Sequence, residues 1–397
     1  MRIFMPSDVK KIIDKLNNNG FEAYIVGGCV RDSLMGKIPS DWDIATSATP
    51  YEAKKFFKKT FDTGIEHGTV TVVLNKKNYE LTTYRIDGEY ADNRRPLSVE
   101  FSTDLTEDLS RRDFTINAIA YNETDGLKDP FDGISDIKNK VVKCVGDANL
   151  RFKEDGLRML RALRFSAQLG FEIDNETYSA ILHNARLIKN ISVERIRDEF
   201  RKILMSERPE YVALLDETGL SGSLNMRFSF EKSLKILKFT KKHLPIRLAL
   251  LFVEMSEINL TKALKFLSFE NSVIKAASII AKWTKIHIEN NYYEIRKAIK
   301  DIGAEDFLCV IEAKKLLDDD NIHVYDEVLD KLQVILENND CTSLKQLKIN
   351  GNKLKELGVT DGREIGSILE SLLDKVLKNP KLNTEAKLNE LAKSCLQ

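Results

Sequence analysis

A mixed α/β head followed by an all-helical remainder of about 250 residues is the fold class that the sequence predicts. Three observations carry it. Ten of the 19 glycines fall at or before Gly146. Up to Val145, short β-like runs alternate with helical ones: "FEAYIVGG", "WDIA", "GTVTVVL", "YELTTYRI", "LSVEFS" and "KVVKCVG". Beyond residue 147 helical periodicity takes over, and between Gly222 and Gly303 only Pro245 interrupts it.

The elements follow in order. "MRIFMPSDVKKIIDKLNNNG" is an amphipathic helix pattern closed by Gly20, without the long apolar core of a signal peptide. "AYIV" is a strand, Gly27 and Gly28 permit a tight turn, and "VRDSLMG" opens a helix. Glycines at a strand-to-helix turn expose backbone N–H groups, so the turn suits phosphate, with Arg31 as a charged clamp. No third glycine completes a dinucleotide fingerprint or a P-loop, and a plain Gly-Gly turn would look the same.

"SDWDIATSATP" sets Asp41 and Asp43 one residue apart. On a strand their side chains share one face, while Trp42 and Ile44 pack on the other. Like charges so close repel unless a cation lies between them. Hard Mg²⁺ prefers carboxylate oxygens, and such a pair can hold two ions ~3.5–4 Å apart for phosphoryl transfer. A strand edge with two solvated acids is the bland alternative. Thr49, Pro50 and Glu52 then read as N-cap, first helical position and capping box. Glu80, in "NYELTTYR", is a candidate third carboxylate. In "SRRDFTINAIA", Ser110 reads as an N-cap that places Arg112 near a helix N-terminus, where it suits a triphosphate.

On the predicted helix 154–165, Asp155 and Arg158 are neighbours, as are Arg158, Arg161 and Arg164 in succession. An Asp accepts from an exocyclic amine and an Arg donates to ring nitrogens, so one such pair would take C or A and reject U or G. A surface helix with i,i+3 charge pairs has the same pattern.

Bulk composition narrows the classes. The 397 residues are 43% hydrophobic and 31% charged, with 61 basic and 61 acidic side chains. With no net charge, nucleic-acid binding must rest on local patches. Five scattered cysteines without a Cys-x-x-Cys pair suggest neither disulfides nor zinc, and fit a reducing cytoplasm. No run reaches the ~18 apolar residues of a membrane span. Five histidines make no His-Asp pair. From Cys341 onward ten Lys/Arg meet seven Asp/Glu, and Gly351, Gly358, Gly362 and Gly366 would open turns whose helix N-termini face phosphates.

Six ordered stretches resemble the nucleotidyltransferase superfamily that includes DNA polymerase beta, and within it the class II bacterial CCA-adding enzymes. "GGCVRD" with "DWD" looks like the first motif, and "DGEYADNRRPLSVEF" (87–101) like the flexible loop. "RRDFTINAIA" (111–120) and "DPFDG" (129–133) look like the second and third motifs. "RFKEDGLRMLRALRFSAQLGF" (151–171) contains the nucleotide-selecting Glu-Asp-x-x-Arg, and "ISVERIRDEFRKIL" (191–204) resembles the last motif. The resemblance is strong over about the first 205 residues and weaker after them.

It implies an α+β head, polymerase-beta-like, over 1–147, then an all-α neck (148–210), body (211–300) and tail (301–397). It implies a Mg²⁺-dependent enzyme that adds CCA to the 3′ end of tRNA from CTP and ATP by two-metal transfer, without a template. Asp41 and Asp43 match the metal and catalytic carboxylates. Gly28, Arg31 and Arg112 match nucleotide contacts, Asp155 and Arg158 the base-reading pair, and Arg161 and Arg164 further contacts. Gly27, Glu80 and Asn117 are additional candidates. The tail would bind tRNA by shape and backbone, and the protein would be a cytoplasmic monomer or homodimer. Rival readings are an A-adding enzyme with a separate CC-adding partner, a poly(A) polymerase, and a non-catalytic RNA-binding protein.

Overall fold

The computed structural model describes residues 2–88, 98–224, 226 and 231–394, and the chain divides into two compact units, 1–229 and 230–397. The first unit opens with helix α1 (Ser7–Asn17), whose Val9, Ile12, Ile13 and Leu16 are buried. Strand β1 (Ala23–Val26), helix α2 (Gly28–Leu34), strand β2 (Asp43–Thr46) and helix α3 (Pro50–Phe56) follow. Then come β3 (Thr60–Gly64), β4 (Thr69–Leu74), β5 (Lys77–Thr83), and a small hairpin of β6 (Arg85–Asp87) and β7 (Val99–Phe101). Helix α4 (Leu105–Ser110), strands β8 (Ala120–Asn122) and β9 (Gly126–Lys128) and helix α5 (Gly133–Asn139) complete the head. The expected flexible loop keeps only its ends in the structure, because 89–97 lie outside the described residues.

One seven-stranded sheet runs in the order β3-β4-β5-β2-β1-β8-β9, with only β2 and β5 parallel. Alternation sorts its side chains. Ile25, Ile44, Val72, Tyr79 and Leu81 face a core shared with α1, and Trp42 packs against that core half-buried. Tyr24, Val26, Ala45 and Ala120 face a second core with Tyr84 and Leu109. Thr49 and Glu52 form the expected capping box on α3, with Pro50 at its start.

Two expectations about local structure need correction. Asp41 precedes β2, which begins at Asp43: Asp43 pairs with Val26, the last residue of β1, and the chain turns away at Gly27, so Asp41 has no partner on β1. Ser110 ends a helix rather than starting one. Asp104 caps α4, accepting from Thr106 N at 2.7 Å, and Arg111 and Arg112 follow the helix C-terminus.

After the head, α6 (Ala148–Glu154), α7 (Leu157–Leu169), α8 (Asn175–Asn184) and α9 (Val193–Leu204) belong to the same unit. The second unit has helices from Glu231 to Ser394 and no strand among its described residues. It has one core around Ile295, Phe307, Ile311 and Leu332 and another around Leu354, Leu372, Val376 and Leu388. Buried Arg296 ties them, donating to Asp340 at 2.7 Å and to Leu377 O at 3.0 Å. Gly351 and Gly362 begin helices capped by Asn350 and Asp361, and Gly358 takes φ +99°, but Gly366 lies inside the helix Gly362–Lys378.

Candidate active site

The Gly-Gly turn forms as the sequence suggests. Gly27, at φ 76°, makes the corner, and Gly28 begins α2. A Cβ on Gly27 would stand 3.1 Å from Arg112 Nη1, so the residue leaves room for that guanidinium. Arg31 is buried, donates Nη1 to Asn117 Oδ1 at 2.6 Å, and binds Asp32 through Nε and Nη2. Asn117 in turn donates to Asp113 Oδ1 at 3.1 Å.

Asp113 is a hub that the sequence reading passed over. Its carboxylate also takes Arg161 Nε at 2.7 Å. Burial alone would raise its pKa; the Arg161 charge and the Asn117 bond outweigh that and hold it at about 2. Asp108, with no side-chain exposure, holds Arg111 at 2.7 Å and Arg112 at 3.0 Å. Arg112 therefore reaches the site from a buried acid, not from a helix N-terminus.

The helix expected to read the base differs from expectation in one decisive respect. Asp155 is not on it: α6 ends at Glu154, Asp155 is extended, and Gly156 precedes α7. Its Oδ1 accepts from Leu157 N at 3.0 Å and its Oδ2 from Arg195 Nη2 at 2.8 Å. Arg158 pairs with Glu154 and with the Arg111 and Arg151 carbonyls. Asp155 and Arg158 line one cavity, each held by other partners. Arg195 lies on α9, in the last of the resembling motifs, yet no i,i+3 rule links it to Asp155.

That cavity holds about 520 Å³. Gly27, Gly28, Arg31, Asp43, Arg112, Asn117, Asp155, Arg158, Arg161 and Arg164 all border it, so ten of the twelve candidates converge; Asp41 and Glu80 do not. Arg111, Asp113, Phe165 and Arg195 also line it. Seven arginines face three carboxylates there. The Arg112 Nε and Arg195 Nη1 atoms are buried without a partner. The Phe165 ring lies under three guanidiniums, those of Arg164 at 4.1 Å, Arg31 at 5.1 Å and Arg161 at 5.5 Å. Burial, with Arg161 and Arg31 nearby, lowers Arg164 to about 10 despite its ion pair with Glu199.

Asp43 stands at the edge of this positive field. Its carboxyl is pushed above the usual range by desolvation first, then by Glu80 and Asp41, with Arg112 opposing. Ile44 pairs with Leu81, which sets Asp43 level with Glu80 on the adjacent strand. Beside Glu80 and Asp41 the negative charge is only partly offset by Arg112 and suits a divalent cation at Asp41 and Asp43. Among the described residues, no three His, Cys, Asp or Glu side chains converge as a metal-holding group, so Glu80 does not complete a cluster.

Residues 23–143 match the poly A polymerase head domain, 170–224 an RNA- and SrmB-binding site of polymerase A, and 237–392 a tRNA nucleotidyltransferase domain 2. A CCA-adding enzyme of Ligilactobacillus salivarius is 36% identical over 99% of this chain and 98% of its own length. The chain belongs to the CCA-adding enzyme family. Another member of the family, from Staphylococcus haemolyticus, is 36% identical over 96% of each chain. The Bacillus stearothermophilus CCA-adding enzyme in complex with CTP superimposes with a TM-score of 0.85 at 31% identity, covering 99% of this chain and 98% of that one. The α+β head and helical remainder are the family fold. Nucleotidyltransferases of this fold use divalent metals. Among the described residues, no helix is long and apolar enough to cross a membrane.

Proposed function

We propose that this chain adds C, C and A in turn to the 3′ end of tRNA, taking CTP and ATP and releasing pyrophosphate without a template. The observation that carries the reading is the cavity itself: seven arginines against three acids, two guanidinium nitrogens left without partners, and a carboxylate at its border. An excess of fixed positive charge beside a carboxylate crowded by two other acids suits a triphosphate whose α-phosphorus must sit at a metal site.

The Gly28 backbone, Arg31 and Arg112 hold the phosphates and sugar. Asp155 accepts the exocyclic amine of C or A, and Arg158 donates to the base; Arg161 and Arg164 fix the pocket wall. The tRNA 3′-hydroxyl oxygen gives up its proton to solvent and bonds to the α-phosphorus while the bond to the bridging oxygen breaks, and pyrophosphate leaves with that electron pair. Asp41 and Asp43 would hold Mg²⁺, which supplies charge neutralisation at the reacting phosphate. We assign the parts as head 1–147, neck 148–210, body 211–300 and tail 301–397, with the tail on tRNA, and place the protein in the cytoplasm. The four described cysteines are unpaired, which suits that compartment.

The test offers the protein Mg²⁺ and two tRNAs, one lacking CCA and one ending in CC, with CTP, ATP or both. Three additions to the first, then arrest, are expected. Extension of only the CC-ended tRNA would make it an A-adding enzyme; a long A ladder, a poly(A) polymerase; no product, a binding protein.

A further inference from the structure

Two cavities meet at Asp43. The second, a groove of about 1320 Å³ in the head, shares no other lining residue with the arginine cavity. It is bordered by Asp41, Asp43 and Glu80, by the N-terminal segment around Arg2 and Phe4, by Lys37 and Ile38 between α2 and β2, and by Lys77 at the start of β5.

Phe4 is 85% exposed and Ile38 97% exposed, two large apolar side chains left in water on one groove. Arg2 lies 5.9 Å from the Phe4 ring. Among the described residues, the Lys37 and Lys77 ammonium groups make no ion pair. Lysines free of acid partners, set among aromatic and apolar side chains, are how proteins hold unpaired nucleic acid, through phosphates and base faces together.

Reaction geometry assigns the occupant. In phosphoryl transfer the attacking and leaving oxygens lie roughly in line across phosphorus. With the triphosphate in the arginine cavity, the hydroxyl must arrive through different space that also borders Asp43. The groove is that space. We infer that it receives the unpaired 3′ end of the RNA, with Phe4 and Ile38 bearing on its terminal bases and Lys37 and Lys77 on its phosphates. This rests on the transferase reading above. It gives the N-terminal segment and the α2–β2 connection a task in primer binding.

The experiment uses the full chain with a tRNA lacking CCA. CTP affinity is measured separately by titration without RNA, which also reports that each variant is folded. Phe4→Ala is expected to raise the KM for tRNA by about tenfold and Phe4→Trp to restore it, because base stacking accepts any flat ring. K37E combined with K77E should raise the same KM and flatten its dependence on salt by about two charges' worth of slope. The CTP Kd should stay at the wild-type value in all three. A tRNA KM and salt slope unchanged from wild type would overturn the assignment. So would a parallel loss of CTP affinity, since the groove would then act on the carboxylates rather than on RNA. Failure of the wild-type protein to extend tRNA would instead remove the transferase reading itself.

Discussion

Arg195 donates to the carboxylate of Asp155 at 2.8 Å across 40 residues of chain, so α9 fixes this acid at the wall of the arginine cavity. Asp155 spends one oxygen on Arg195 and the other on Leu157 N. Its remaining lone pairs point where those two bonds leave them, and the Arg195 Nη1 atom is still without a partner. On the proposed reading, selection of C and A would depend on a residue outside the helix that carries Arg158.

Arg195→Ala is expected to lower the ratio of CTP to UTP incorporation by about tenfold, because a mobile Asp155 no longer rejects a carbonyl oxygen. Triphosphate affinity should change less. Competition between labelled CTP and UTP on one tRNA measures the ratio; an unchanged ratio would mean that Asp155 needs no support.

Asp41→Asn and Asp43→Asn should each abolish transfer while CTP still binds in EDTA. Mg²⁺ should raise the melting temperature of the wild-type chain and leave that of the double variant unmoved, because only a cation that binds the folded state stabilises it. Differential scanning fluorimetry with and without Mg²⁺ decides.

Asp113 makes stability depend on acid. Its folded pKa, about 2, lies below the ordinary 3.8. The unfolded chain therefore binds the proton first, and the contribution is complete above pH ~4 and is lost as pH falls toward ~2, amounting to about 2 kcal/mol at most. Urea unfolding of Asp113→Asn from pH 2 to pH 5 should show a flatter profile than wild type. A parallel profile would show that Asp113 contributes nothing to it.

Two glycines of the resembling motifs should fail differently. A Cβ on Gly133 would sit 2.2 Å from the Thr115 carbonyl oxygen, a backbone atom, so Gly133→Ala should cost about 1–3 kcal/mol of stability. On Gly27 it would meet the end of the Arg112 side chain at 3.1 Å. Gly27→Ala also strains a φ of +76° by about 1–2 kcal/mol. Its distinguishing result is a weaker CTP Kd, read by titration, which Gly133→Ala should not share once folded.

The N-cap of α3 offers a control remote from this chemistry. Thr49→Ala removes half of the capping box and should lower stability by about 1 kcal/mol with CTP affinity unchanged. Chemical denaturation beside the same titration reads both.

Local rules carried the sequence reading far. The Thr49-Pro50-Glu52 cap, the Gly27 corner and the packing of Trp42 and Ile44 against one core all follow from spacing within a few residues, and all are present. Where the reading erred, the deciding partner was distant or unmarked. β2 starts at Asp43 because its neighbour β1 ends at Val26, which no spacing within "SDWD" reveals. Ser110 seemed a cap because Asp104, six residues earlier, had already been one. Asp155 seemed a helical neighbour of Arg158 until Arg195, on another helix, claimed it. Asp113 left no signal beyond its place in a motif, since its work is to orient arginines that the chain supplies from elsewhere.

The crowd of guanidiniums around Phe165 has a consequence for the empty protein. Positive charges held that close repel one another: Arg164 is depressed first by burial, and Arg161 and Arg31 add to it. A bound triphosphate neutralises the crowd, so the substrate also acts as a folding ligand. Thermolysin should cut the chain more slowly when CTP is present than when it is absent. A cell rich in nucleotides would then keep more of this protein intact, and one starved of them would lose it first to its own proteases.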